Sequence, residues 1–198
     1  MIRFLEGTDE DGLGIPYPCR KNSDTNNIGY LDLKARPSDI DLAYELEGWP
    51  EFKKLIQEIN ARDSFFRSLR CDVWFANVRG HETFPILAVG YITIAFEILE
   101  YNCAKNCFNE LRNQFLRFAP DVITWPEVTV NFKHIPTSYS EHGINRAWSE
   151  DIEIHGFGHS KEEARAAFLK GLAPVKSFLL KESRSYPTQL SRGQKTVS

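Results

Sequence analysis

The 198-residue sequence has no stretch expected to act as a signal peptide or to span a membrane. Its first residues, MIRFLEGTDEDG, are acidic and too short in apolar run for a signal peptide. The longest apolar stretch, FPILAVGYITIAFEIL, has the length of a long strand and falls short of a bilayer. The expectation is a cytoplasmic protein with no membrane association and with Cys19, Cys71, Cys103 and Cys107 held as thiols. Cysteine pairing is missing too. Cys103 and Cys107 stand one helical turn apart and no Cys-x-x-Cys exists, so packing thiols fit better than a redox or zinc centre. There is no Gly-x-Ser-x-Gly, no P-loop and no dinucleotide fingerprint, and no cofactor is expected.

Positive charge is scarce at the front. Residues 1–50 hold 5 Lys or Arg against 10 Asp or Glu, whereas residues 181–198 hold 4 against 1, and the whole chain is at −3. An acidic front and a balanced middle argue against nucleic acid, which needs a basic face. What is abundant is apolar and aromatic surface. Hydrophobic residues make up 42% and aromatics 13%, with 14 Phe, enough for a sizeable core without disulfide staples.

Residues 1–36 have loop composition, as in GTDEDGLGIPYPCRKNSDTNNIGY. Ser38 and Asp41 suggest a short capped helix. Pro50 then opens a helix to about residue 61, with Phe52, Leu55, Ile56 and Ile59 on one stripe. SLRCDVWFANV alternates, with Leu69, Cys71, Val73 and Phe75 on one face. LAVGYITIAFEILEY reads as one long strand. NCAKNCFNELRNQFLRFAP switches to a helical period and Pro120 ends it. EVTVNFKHI and AWSEDIEIHGF are again strands, and SKEEARAAFLKGL is a closing helix, with Pro174 starting a further turn. The expected class is α+β: a four-stranded antiparallel sheet in ββα-ββα order with helices on one face, after a loop-rich acidic segment with one or two short helices. The division runs 1–36 for that segment, 37–183 for the α+β domain and 184–198 for a flexible basic tail. Whether the two ββα units are a repeat stays open.

Two constellations could carry chemistry. The stretch EDIEIHGFGHSKEEARAAFLKG holds His155 and His159 around a Gly-Phe-Gly turn, and His134 ends a neighbouring strand. These three are the candidate metal ligands, although a Gly turn between His155 and His159 fixes no coordination geometry. Ser160 and Glu163 make a capping box, so the stretch reads mainly as a strand-to-helix corner. The second constellation is the sheet face turned away from the helices. Strand alternation places Arg70, Asp72 and Trp74 there, then Tyr91, Glu97 and Tyr101, then Asn131 and Lys133, then Glu153, His155 and Phe157. It has four readings. The N-terminal segment wraps over it. Or Arg70, Trp74, Tyr91, Tyr101, Lys133 and Phe157 bind a partner protein. Or Asp72, Glu97, Glu153 and His155 form the acid/base centre of a hydrolase or related enzyme. Or its aromatics stack nucleic-acid bases, against which its carboxylates argue.

DIEIHGFGHSKEEARAA resembles the strand–turn–helix of HicB-like antitoxin domains, through Gly156, Gly158, Ser160, Glu162, Glu163 and Ala164. The resemblance covers that stretch alone, and the family's usual DNA-binding extension is not visible. It implies a small bacterial regulatory or neutralising protein. The function expected from the whole chain is a protein-interaction module of antitoxin, immunity or regulatory type, steered to its partner by charge. Self-association is left open by the sequence.

Overall fold

The computed structural model describes residues 1–18, 20–22, 25–27, 29–78 and 83–193. Cys19 and the last five residues of the basic tail lie outside them. Four long strands dominate: β5 (Phe66–Asn77), β6 (Ile86–Phe96), β7 (Val128–Tyr139) and β8 (Ile144–Gly158). The loop-rich front supplies β1 (Ile2–Glu6), β2 (Leu13–Ile15) and a small separate hairpin, β3 (Arg20–Asn22) with β4 (Thr25–Asn27). The sheet order is β1-β7-β8-β6-β5, with β2 also on β7.

This corrects the expected sheet. It has six strands, not four, and it is mixed, because β1 and β2 both run parallel to β7. The physical reason is the edge of β7. Every second residue of this twelve-residue strand would otherwise turn an unpaired N–H and C=O to water and invite foreign strands. β1 pairs Val130–His134 and β2 pairs Thr137–Tyr139, so two short pieces of irregular-looking chain cover most of that edge. Gly7 makes the exit from β1 possible. Its N–H donates to His134 O at 2.8 Å, and a Cβ there would stand 2.3 Å from that oxygen.

The helices are α1 (Pro50–Ile59), α2 (Leu99–Cys103), α3 (Lys105–Phe118) and α4 (Lys161–Gly193). The stretch FEILEY turns from strand into α2 after Phe96, where Asn102 caps the strand end by exchanging two hydrogen bonds with the Phe96 backbone. α4 continues through Pro174, and its helix reaches Gly193, ten residues into the segment read as tail. A stripe of buried Ala164, Phe168, Leu172, Val175 and Leu179 keeps it helical despite the proline.

α1, α3 and α4 pack on one face of the sheet. Phe168 meets Trp49 and Phe52 at 5.2 and 5.8 Å, while Phe115 meets Phe132 and Phe178 at 4.9 and 5.3 Å. Gly156 and Gly158 bring α4 against β8: a Cβ at Gly156 would lie 2.1 Å from the Phe168 nitrogen. The capping box forms, with Glu163 N–H donating to Ser160 Oγ and His159 N–H donating to Glu163. No helix among the described residues is long and apolar enough to cross a membrane.

Candidate functional site

A bulge between Ser68 and Arg70 sets what β5 shows on each side. Before it Phe66 and Ser68 face the helices; after it Cys71, Val73 and Phe75 do. Leu69 is thereby moved to the opposite face, where it joins Ile15, Ala95, Tyr139 and Ala147 in a second small core. Leu13, Tyr17 and Tyr30 pack on that core, and Tyr17 donates to Leu69 O at 3.2 Å. The front of the chain therefore covers this end of the outer face.

The rest of the outer face is laid out in cross-strand rows. Trp74 stands opposite Val89, which is opposite His155, then Thr129. The next row is Asp72, Tyr91, Glu153 and Asn131, and the next Arg70, Thr93, Asp151 and Lys133. Trp74 is 40% exposed and meets the Tyr91 ring edge-on at 6.2 Å. The Arg70 guanidinium lies 5.5 Å from the Tyr91 centroid. Arg70 Nε donates to Thr93 Oγ1 at 2.9 Å, and Thr93 donates to Asp151 at 2.5 Å. Burial pushes the Asp151 carboxyl up, against the pull of Arg70 and Thr93. Asp72 is also pushed up by burial, as is the Tyr91 hydroxyl. Glu153 is held below the usual carboxylate range, chiefly by His155, whose Nε2 lies 3.1 Å away but off the axis of a good hydrogen bond. Asn131 donates to the same carboxylate at 3.0 Å. Lys133 is tied to Asp11 at 2.6 Å. Phe157 extends the face, 6.0 Å from His155 and 6.5 Å from Phe84.

Arg70, Asp72, Trp74, Tyr91, Lys133, Glu153, His155 and Phe157 are thus brought to one surface. Two residues are not. Tyr101 sits on α2 and packs on Phe65 and Phe96, because the strand stops at Phe96. Glu97 is six residues past Tyr91, roughly 20 Å along the strand direction, and is held by Arg67 and Lys34. The four-residue acid/base centre therefore does not assemble around Glu97. The metal set also separates: His134 points to the helix face and His155 to the outer one, while His159 lies 5.6 Å from Phe84 beyond the strand end. No group of three or more potential ligands forms a metal cage among the described residues.

Sequence reasoning missed a buried polar chain on the helix side. Arg112 of α3 is 5% exposed and Glu150 and His134 are 0%. Arg112 donates to Glu150 at 2.9 Å, to Leu5 O at 3.0 Å and to Phe132 O at 3.2 Å. His134 stands 3.2 Å from Glu150 and 3.3 Å from Glu6, which Lys105 pairs in turn. Burial raises the Glu150 carboxyl despite His134 and Arg112. A signal existed: Arg112 falls between Leu111 and Phe115 on the buried stripe, and Glu150 and His134 fall on the inward parity of their strands. This chain binds β1, β7, β8 and α3 together. A cleft of about 500 Å³ lies between Asp9, Gly12, Ser138, Arg146 and Trp148. Compared with known protein families, with curated proteins and with solved structures, the chain matches none.

Proposed function

We propose that the protein is an interaction module, of antitoxin, immunity or regulatory type, that binds a partner protein through the open part of its outer sheet face. The observation that carries this is the pairing of a 40% exposed Trp74 with Tyr91 on a rigid sheet, braced by Arg70. Trp, Tyr and Arg are the residues that most often dominate binding energy, and here they sit together on a strand scaffold rather than on a loop. The front of the chain packs on the Leu69–Tyr139 end, and at the other end Trp74 stays 40% exposed. Phe157 and Lys133 lie on the same surface and extend the contact area.

The test is capture of the partner from the native host with the purified chain, identification by mass spectrometry, and calorimetry with the purified partner. Trp74→Ala should weaken binding by about 2 kcal/mol, close to thirtyfold. Glu97→Gln, outside the face, should leave it within twofold. A partner held equally well by Trp74→Ala, or a chain that captures nothing, refutes the proposal.

A further inference from the structure

β2 lies along the far end of β7, where β7 and β8 approach their turn at Gly143. Leu13, Ile15, Tyr139 and Ala147 belong to the second small core on the outer face. Strand alternation therefore turns Gly14, Ser138, Arg146 and Trp148 to the helix side. There, with Asp9 and Gly12, they line the cleft of about 500 Å³. Among the described residues none of α1–α4 lines it. Small-molecule sites occupy about 300–1,000 Å³, so the volume is that of a ligand pocket.

Gly14 is the first sign that the space is kept open. The other strand glycines are forced: a Cβ at Gly90, Gly156 or Gly158 would stand 2.7, 2.1 or 2.4 Å from a neighbouring atom. At Gly14 a Cβ would meet only Ser138 Oγ, at 3.6 Å, and its φ is not positive. Glycine weakens a strand, and here neither packing nor backbone conformation asks for it. A side chain at this position would project into the cleft. The second sign is charge. Asp9 and Arg146 line the cleft with opposite signs, and neither side chain has an ion pair or hydrogen bond among the described residues. The Ser138 hydroxyl and the Asn145 side-chain amide are equally unengaged there. Pro136 and Trp148 add apolar wall, and Trp148 is fixed by packing on the main core with Lys105 Nζ 4.6 Å from its ring centroid.

We propose that this cleft binds a small zwitterion, a peptide of two or three residues, with its terminal carboxylate on Arg146 and its terminal ammonium toward Asp9. The guanidinium fork meets a carboxylate with two parallel hydrogen bonds. Ser138 and Asn145 serve the peptide groups between, and an apolar side chain lies against Trp148 and Pro136. The strands that flank β7 here are roughly 10 Å apart, which is close to the length of an extended tripeptide. The cleft opens on the opposite face of the sheet from Trp74, so the proposal does not depend on the partner surface.

Calorimetry with the full chain and the tripeptide Ala-Phe-Ala is the test. The free peptide should bind with a dissociation constant of about 1 mM or tighter. Blocking its amine by acetylation or its carboxylate by amidation should each weaken binding at least about fivefold, as should Asp9→Asn and Arg146→Gln. Gly14→Val should fill the space and abolish binding, while Glu110→Gln, on the solvent side of α3, should leave it within about twofold. Gly14→Ala should melt no lower than the parent, because its Cβ meets nothing closer than 3.6 Å. No binding at about 10 mM peptide overturns the proposal. So does binding kept by Gly14→Val or Arg146→Gln, or equal binding of either blocked peptide. A clear loss of melting temperature in Gly14→Ala also overturns it, since the fold itself would then need the glycine.

Discussion

Replacing Arg112 by methionine tests the buried polar chain directly. The side chain keeps its length and loses its charge. Three acceptors lose their donor at once: the Glu150 carboxylate, Leu5 O and Phe132 O. Glu150 is 0% exposed, so water cannot take over. Breaking a buried pair from one side costs about 3–5 kcal/mol, because an uncompensated charge remains. For a chain of this size, with a urea dependence of about 2–3 kcal/mol per M, the unfolding midpoint should fall by roughly 1–2 M. The dependence on pH has a definite sign. The Glu150 carboxyl is already raised by burial, and Arg112 is one of the groups holding it down. A raised acid contributes stability at low pH that is lost as pH rises through its folded value. Without Arg112 the rise is larger, so the penalty should be greatest at pH 8 and smaller at pH 5. Adding Glu150→Gln should recover at least about 1.5 kcal/mol. A penalty under about 1 kcal/mol at pH 8, one equal at both pH values, or no recovery in the double variant would refute the reasoning.

Two further outcomes follow from the packing and the rim. Gly156→Ala places a Cβ 2.1 Å from the Phe168 nitrogen and should cost about 3 kcal/mol or more in urea unfolding, since helix backbone must move. Gly143→Ala, at φ +65° with open space around it, should cost only about 1 kcal/mol; equal losses would show that α4 yields. The Asp11 carboxyl is lowered to about 2, mainly by Lys133, so its contribution is present above its ordinary value of 3.8 and lost as pH falls towards 2. Asp11→Asn should therefore cost about 0.5–1 kcal/mol at pH 7 and nothing at pH 2, and a pH-independent loss would rule out the ion pair as its cause.

What the sequence made legible was whatever repeats along one element. The stripe Phe52, Leu55, Ile56, Ile59 is buried to the last atom, and the outward parity of Arg70, Asp72 and Trp74 holds. What it hid depended on contacts between distant elements. β1 shows only five residues of pattern, and its partner is 128 positions away. FEILEY has strand composition, yet Asn102 turns the chain back by capping Phe96, which removes Tyr101 from the outer face. The β5 bulge moves Leu69 across the sheet without any local mark in SLRCD. Glu97 went astray for the same reason as Tyr101: alternation was continued past the end of its strand.

The two polar networks separate the roles of the two faces. On the helix side, Lys105, Glu6, His134, Glu150 and Arg112 stand in one run of close polar contacts that ties β1 to β7. Within it the Glu150 Oε2 and both ring nitrogens of His134 make close contacts but no well-aligned hydrogen bond. On the outer side, Asp72 accepts the Val73 N–H and Glu153 has Asn131 and His155, and both lie beside an exposed tryptophan. The helix-side run is thus internal to the fold, whereas Trp74, Tyr91 and Arg70 are presented outward.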